Sequence, residues 1–336
     1  MRKFSLLSLV LVLALVASAN VKWTSAEPAS PAGELIDLLP DGNVVAIIDF
    51  QKIVASPLWA TISSQQKLKS SIDKASSELA ELGLSLNDLN SVALVFSSSD
   101  FNNPAVAVSG RFEQNDLLTR LRASGKVKLT SEKYKDFDIY KAESVSASSE
   151  SKGKENKAAR TSSKNTMAFV FHGANTLVAG SPEAVRASVD VKTGAKPGIA
   201  QNGKLADAIA QNPTAAIRFA LTVTPAMTSG LQSSELPIPD FSSINLIFGA
   251  VDVTSGLDIN ATLRSDTAEH AKNIADRLSG LLSMAAGFLG AMSDPKMAPV
   301  GEALKTVRIT NSDADVKITG NVSTDVLNSL ISGGKK

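Results

Sequence analysis

"SVALVFSSSDFNNPAVAVSGRFEQNDLLTRLRA" spans residues 91–123, and its order of apolar and polar residues decides the fold. Two apolar runs, 91–96 and 104–112, flank the turn-rich "SSSDFNN", which predicts a pair of antiparallel strands. Leu117, Leu118 and Leu121 then share one side of a short helix, with Gly125 as its stop. Residues 243–280, "SINLIFGAVDVTSGLDINATLRSDTAEHAKNIADRLSG", repeat the order: strand, turn, strand ending in an arginine, polar step, amphipathic helix. Arg111 and Arg264 hold matching places.

Working outward, "TMAFVFHGANTLVAGSPEAVRASVD" (166–190) and "TVRITNSDADVKITGNVSTDVLNSLI" (306–331) each read as a hairpin followed at once by a short helix. "NVVAIIDF" (43–50) and "TAAIRFAL" (214–221) read as strands that open the two series. Between 51 and 83 the apolar spacing is helical, broken near Pro57 and stopped at Gly83. Residues 126–142 read as a further hairpin turning near Tyr134–Asp136. The pattern predicts an α+β fold: two related antiparallel-sheet units with helices packed on one face, arising by internal duplication. The first unit covers 35–191 and the second 199–336, joined by the linker "KTGAKPG" (192–198). Residues 144–164 hold almost no apolar side chain larger than alanine, so they are expected to form a flexible loop.

The chain starts with Arg2 and Lys3, then an apolar run from Phe4 to Val16, then Ala17-Ser18-Ala19. That is the layout of a secretory signal peptide over 1–19, with Thr24-Ser25-Ala26 as a second cleavage candidate. Residues 20–34 form a Pro/Ala/Ser linker. The run is short for a membrane span, so no stable span is expected after cleavage. The chain has 0 cysteines, which excludes disulfides, thiolate metal sites and lipid attachment at a cysteine. Its formal charge is +1, and loss of Arg2 and Lys3 leaves about −1, which gives no electrostatic case for nucleic acid or anionic membrane. Aromatic residues make up only 5%, which argues against stacking platforms for bases or sugars.

Leu39, Pro40, Asp41, Ile48, Asp49, Phe50, Ile53, Ser56, Pro57, Leu58 and Trp59 form an opening motif of about 20 residues. With the signal peptide and the doubled body, it resembles a group of exported bacterial proteins of unknown function. The resemblance implies a periplasmic or extracellular location and an α+β fold, and it implies no activity.

Chemistry is sparse. Of the two histidines, His172 ends a strand and His270 lies in the charged first turns of the long helix near Asp266 and Glu269. A single Asp-x-x-x-His spacing makes a weak metal motif, and structural or solvent-facing roles are favoured. There is no G-x-S-x-G elbow, phosphate loop, nucleotide fingerprint or calcium loop. Asp49, Asp252 and Asp258 lie in or beside apolar strands, and Asp49 is expected at a strand end, accepting backbone hydrogen bonds. Asn260-Ala-Thr and Asn321-Val-Ser match the glycosylation pattern, which is silent in a bacterial setting. No cofactor, metal or catalytic set is expected.

"RLSGLLSMAAGFLGAM" (277–292) carries its only charge at Arg277. Its uncharged part is about 24 Å of helix, shorter than a bilayer core. Ser279, Ser283, Gly287 and Ala291 recur every four residues as a small-residue stripe, with Leu278, Leu281, Leu282, Phe288, Leu289 and Met292 around it. The pattern favours an enclosed core helix. A groove for an apolar ligand or partner helix, at Ser283, Gly287, Phe288 and Ala291, and membrane insertion stay open as alternatives. Three functions fit: a non-catalytic binding or structural protein of the cell envelope, with an envelope protein as partner; a carrier of an apolar small molecule between the sheet and the 266–292 helix; and, least favoured, an envelope hydrolase.

Overall fold

The structure is a computed structural model that describes residues 33–63, 66–97, 100–145, 166–225, 227, 241–291 and 297–332. The span read as a signal peptide, 1–19, and most of the span read as a loop, 144–164, lie outside those residues.

The strand read from "NVVAIIDF" is β1 (Val44–Asp49), and it stands in the middle of the molecule. Asp49 ends it and accepts a hydrogen bond from the backbone N–H of Lys52 at 3.1 Å, capping α2 (Phe50–Ala55). Pro57 starts α3 (Pro57–Ser63), and α4 (Gln66–Glu81) follows, so the break expected at Pro57 is present. Gly83, at φ 74°, ends that run. Next come β2 (Leu89–Ser97), β3 (Asp100–Gly110) and α5 (Gln114–Ala123). They are followed by hairpins β4 (Val127–Tyr134)–β5 (Phe137–Ser144) and β6 (Thr166–Phe171)–β7 (Thr176–Gly180). The helix α6 (Pro182–Lys192) opens with Ser181 accepting from the Ala184 N–H and with Pro182 in the first turn.

The second half holds α7 (Gly203–Ala210), β8 (Ile217–Thr222), β9 (Ile244–Asp252) and β10 (Gly256–Ser265). It continues with α8 (Ala268–Ala291), α9 (Ala298–Thr306), β11 (Arg308–Ser312), β12 (Asp315–Ser323) and α10 (Thr324–Ser332). A short helix α1 at Gly33–Ile36 crosses from the end of the span read as linker into the first unit and places Leu35 in the core at 1% exposure.

The fold is mixed α+β with an antiparallel sheet, as the hairpins predict. The sheet is a single one of 12 strands in the order β11-β12-β10-β9-β8-β1-β2-β3-β7-β6-β5-β4. The first strands of the two series pair with each other: Val45 lies opposite Ala220 and Ile47 opposite Arg218. Moving outward from this junction, β8-β9-β10-β12-β11 on one side follows the same order as β1-β2-β3-β7-β6 on the other. The β4–β5 hairpin extends the first half alone. The linker at 192–198 is tied down: Gly198 bridges Pro40, and the Ile199 N–H donates to the Leu39 carbonyl at 3.1 Å.

Helices α2 to α5 and α8 to α10 lie on one face. Phe50, Ile72 and Ala75 cover β1–β3 there, Leu117 and Leu118 cover the aromatic cluster Tyr140, Phe169 and Phe171, and Ala271, Ile274 and Ala275 cover Leu263 and Val316. The expectation of helices on one face is corrected here: the other face is covered at its centre by α1, α6 and α7, whose Leu35, Val185, Val189, Leu205 and Ile209 bury a core from Ile139 on β5 to Phe248 on β9. The need for two layers lies in β1 itself: Val45 and Ile47 point to one face and Ile48 to the other, and an unbroken apolar strand must be covered on both. Farther out, on β10 and β12, the second face carries Asn260, Lys317, Thr319 and Asn321 and is open to water.

The opening motif is explained by packing. Leu39, Phe50, Leu58 and Trp59 are buried, Asp49 caps α2, Ser56 ends it through its N–H and hydroxyl to the Ile53 carbonyl, and Pro40 holds the linker. The matching arginines differ in setting. Arg264 makes a two-pronged contact with Asp315 at 2.8 and 2.9 Å, whereas Arg111 lies just past β3 and donates to the Asn87 carbonyl.

Gly249 on β9 marks the closest approach in the sheet: a Cβ there would lie 2.2 Å from the Asn260 carbonyl oxygen and 2.9 Å from the Phe219 ring. Gly249→Ala is therefore expected to lose about 1–3 kcal/mol of stability in urea unfolding through overpacking.

Candidate functional site

The helix α8 has 24 residues, about 36 Å of length. Its N-terminus is capped by Thr267, whose hydroxyl accepts from the His270 N–H at 3.2 Å. Over its first half, Ala271, Ile274 and Ala275 are buried against the sheet, while Lys272 and Asp276 pair at 3.0 Å on the outer side. Beyond Leu278 this one-sided burial ends. Leu281, Leu282 and Leu289 are half-buried, and Ser283, Gly287 and Phe288 are exposed. Met284 is 66% exposed and Phe288 67%.

The expectation of an enclosed core helix is thus corrected. The helix is amphipathic where it crosses the sheet, but its apolar second half extends past that contact. The neighbouring α9 has no fully buried residue and covers it only in part. Ser283, Gly287 and Ala291 do recur along α8, and the Ser283 hydroxyl donates back to the Ser279 carbonyl at 2.9 Å. Ala291 is the last residue of the helix, and its side chain lies outside the described set. No described helix is long and apolar enough to cross a membrane. Gly280 and Gly287 both sit inside α8 with nothing among the described residues within 4 Å of a built Cβ.

The histidines occupy two different settings. His270 Nδ1 lies 2.7 Å from Asp266 Oδ1, and the Ser265 hydroxyl donates to that same oxygen at 3.2 Å. In a hydrolytic triad the imidazole stands between serine and carboxylate. Here the carboxylate stands in the middle. His172, in the β6–β7 turn, has Nε2 2.9 Å from the Ser188 hydroxyl, but Ser188 is wholly buried on α6 and out of a substrate's reach. Among the described residues no group of three or more metal-ligating side chains forms.

Asp252 and Asp258 are cross-strand neighbours on β9 and β10. Asp252 accepts from the Thr254 hydroxyl and N–H, and these bonds hold its carboxyl below the usual range. Glycoside chemistry needs one carboxyl pushed up to act as acid, the opposite direction for Asp252. Asp258 accepts from the Asn321 amide. Two surface clefts are lined mainly by polar side chains, one around Arg264, Asp313 and Asp315, the other around Asp252, Asp258 and Asn260; neither includes a residue of α8.

Sequence reading missed a polar corner at the end of α6. Asp190, 8% exposed at its side chain, receives Lys135 at 2.7 Å, Lys196 at 3.1 Å and the Tyr134 hydroxyl at 2.9 Å. Lys135 first, with Lys196 and Tyr134, holds the Asp190 carboxyl down to about 2 against the opposing effect of burial. The corner clamps the β4–β5 turn and the inter-half linker onto α6. The legible signal was a carboxylate set between Val189 and Val191 on the helix's apolar side.

No family model matches the chain, and no curated protein does. Among solved structures, crystal forms I and IV of TP0453 are similar to it at 11% identity, with TM-scores of 0.44 and 0.45, each over 91% of this chain and 97% of that chain. At this identity and score nothing of TP0453 is carried over to this chain.

Asp190→Asn removes one member of a clamp with three partners and is expected to cost roughly 1.5–3 kcal/mol, read by thermal unfolding. The sign with pH is fixed by the lowered carboxyl. Its contribution is full above the unfolded value of 3.8 and is lost as pH falls through about 2, so the native-to-mutant gap should close in acid.

Proposed function

We propose that this is an exported protein of the bacterial cell envelope that works by binding, and that its contact element is the second half of α8. The observation that carries this reading is the exposed apolar surface at Met284 and Phe288. Four large apolar side chains stand exposed among the described residues, and these two lie one helical turn apart within a segment free of charge from Leu278 to Ala291. Contiguous exposed apolar surface marks contact sites, whereas apolar side chains scattered singly need no explanation.

The glycines of α8 support the same reading. A helix-interior glycine costs about 1 kcal/mol relative to alanine. Nothing within the described molecule crowds Gly280 or Gly287, so no internal packing compensates that cost. A partner's backbone coming close along the Ser283–Gly287 seam would. Export rests on the Arg2–Lys3 start, the apolar run and the Ala17-Ser18-Ala19 site. The shared strand order of the halves supports descent from one duplicated unit, with the sheet as scaffold and α8 as an elaboration of one copy. The positions of both histidines and the lowered Asp252 carboxyl support binding over hydrolysis. The apolar-carrier reading lacks comparable support, since neither described cleft borders α8.

The test places a photo-crosslinking amino acid at position 288 in intact envelopes of the host. A discrete adduct is expected there and not with the same probe at the exposed Asn273. Adding Gly287→Leu should remove the adduct while leaving thermal stability unchanged or higher, and Gly287→Ala alone should raise stability by about 0.5–1 kcal/mol. An adduct that survives Gly287→Leu, or the same pattern from position 273, overturns the reading.

A further inference from the structure

His172 is the least comfortable polar group in the described molecule. Its ring closes the β6–β7 turn and lies 5.2 Å, centroid to centroid, from the ring of Phe137 on β5. Nε2 meets the hydroxyl of the wholly buried Ser188 on α6 at 2.9 Å. Nδ1 is buried and has no hydrogen-bond partner among the described residues. This arrangement selects one form of the ring. A neutral imidazole with its proton on Nε2 donates to Ser188 and leaves only a lone pair dry at Nδ1. The other neutral form would leave a buried N–H without an acceptor, and the imidazolium would do the same with a full charge.

The surroundings offer that charge no help. On α6 the charged neighbours are Lys192, which repels a proton on the ring, and Asp190, whose carboxylate is already engaged by Lys135 and Tyr134 of the β4–β5 turn and by Lys196 beyond the helix. Asp138 on β5 pairs with Lys133. The two strands flanking His172, β6 and β7, contain no charged residue.

We infer that the corner where the β6–β7 turn, β5 and α6 meet is an acid-sensitive latch, held shut by the neutral ring of His172 and released when that ring takes up a proton. Release frees α6, and with it Val185 and Val189, from Ile139, Val170 and Val178 of β5 to β7. The direction follows from linkage. Burial first, then Lys192, holds the His172 imidazole down to about 4 from an ordinary value of 6.5. The opened segment therefore binds a proton before the closed one does. Closure has its full strength above about pH 6.5 and is lost progressively as pH falls toward 4. The inference is independent of the role of α8, which lies in the other half.

The test is amide hydrogen exchange over 183–193 and 171–176, corrected for the intrinsic pH dependence, in the full mature chain. Protection in the native protein is expected to fall by more than about tenfold between pH 7 and pH 4.5. His172→Gln keeps an N–H directed at Ser188 and cannot titrate, so its protection should change by less than about threefold. An equal fall in both proteins, or a native protein flat to pH 4.5, overturns the latch. Should His172→Gln fail to fold, ring titration by NMR decides the matter in the native chain, which has only 2 histidines. A His172 midpoint below about 5 supports the latch, and a midpoint at or above it overturns the latch.

Discussion

The antiparallel contact between β1 and β8 is the constraint on which the molecule depends. It joins the opening strands of the two halves in register from Val44 opposite Leu221 to Ile48 opposite Ile217. Backbone hydrogen bonds at that seam turn two modest sheets into one, so the central strands need cover on both faces. Helices supply that cover through their apolar faces, and the chain, which has no cysteine, is held without disulfides. The halves also meet above the seam. Leu58 of α3 packs with Ala216 and Val253 of the second half, and the Thr61 hydroxyl donates to Asn328 of α10 at 2.7 Å.

Toward the β11–β12 edge, burial is shallower than at this seam. Near it, Val45, Ile47, Val92 and Ala220 are almost wholly enclosed. At the β11–β12 edge, one sheet face is polar and open and the other is roofed by helices that are only partly buried. The long helix α8 spans this gradient. Its first half shares in the core through Ala271 and Ile274, and its second half stands where there is little left to pack against. An apolar surface at that place is a consequence of helix length exceeding the sheet contact. That geometry makes it available to a partner without disturbing the core.

The polar side chains are mostly engaged in holding elements together. Asp49 joins β1 to α2, Asp190 joins a turn and a linker to α6, and Arg264 joins β10 to β12. His172 is the exception among them, because one of its ring nitrogens is buried without a partner among the described residues. Such a group is tolerated only in its neutral state, which is why acid is expected to act first at that corner.

Local elements and their hairpin pairings are legible in the order of apolar and polar residues. The alternation within 91–112 and 243–265 and the helix break at Pro57 are set by side-chain period and turn chemistry within a few residues. Long-range packing settles that the two series share one sheet, since β1 and β8 are far apart in the chain and an apolar run does not specify its neighbour. It also decides that helices cover both faces, and that "KTGAKPG" is tied down through the contact of Gly198 with Pro40, far away in the chain. The reading of 277–292 failed for the same reason. An all-apolar helix reports what would be favourable to bury, and whether anything lies within reach is set by where the sheet ends.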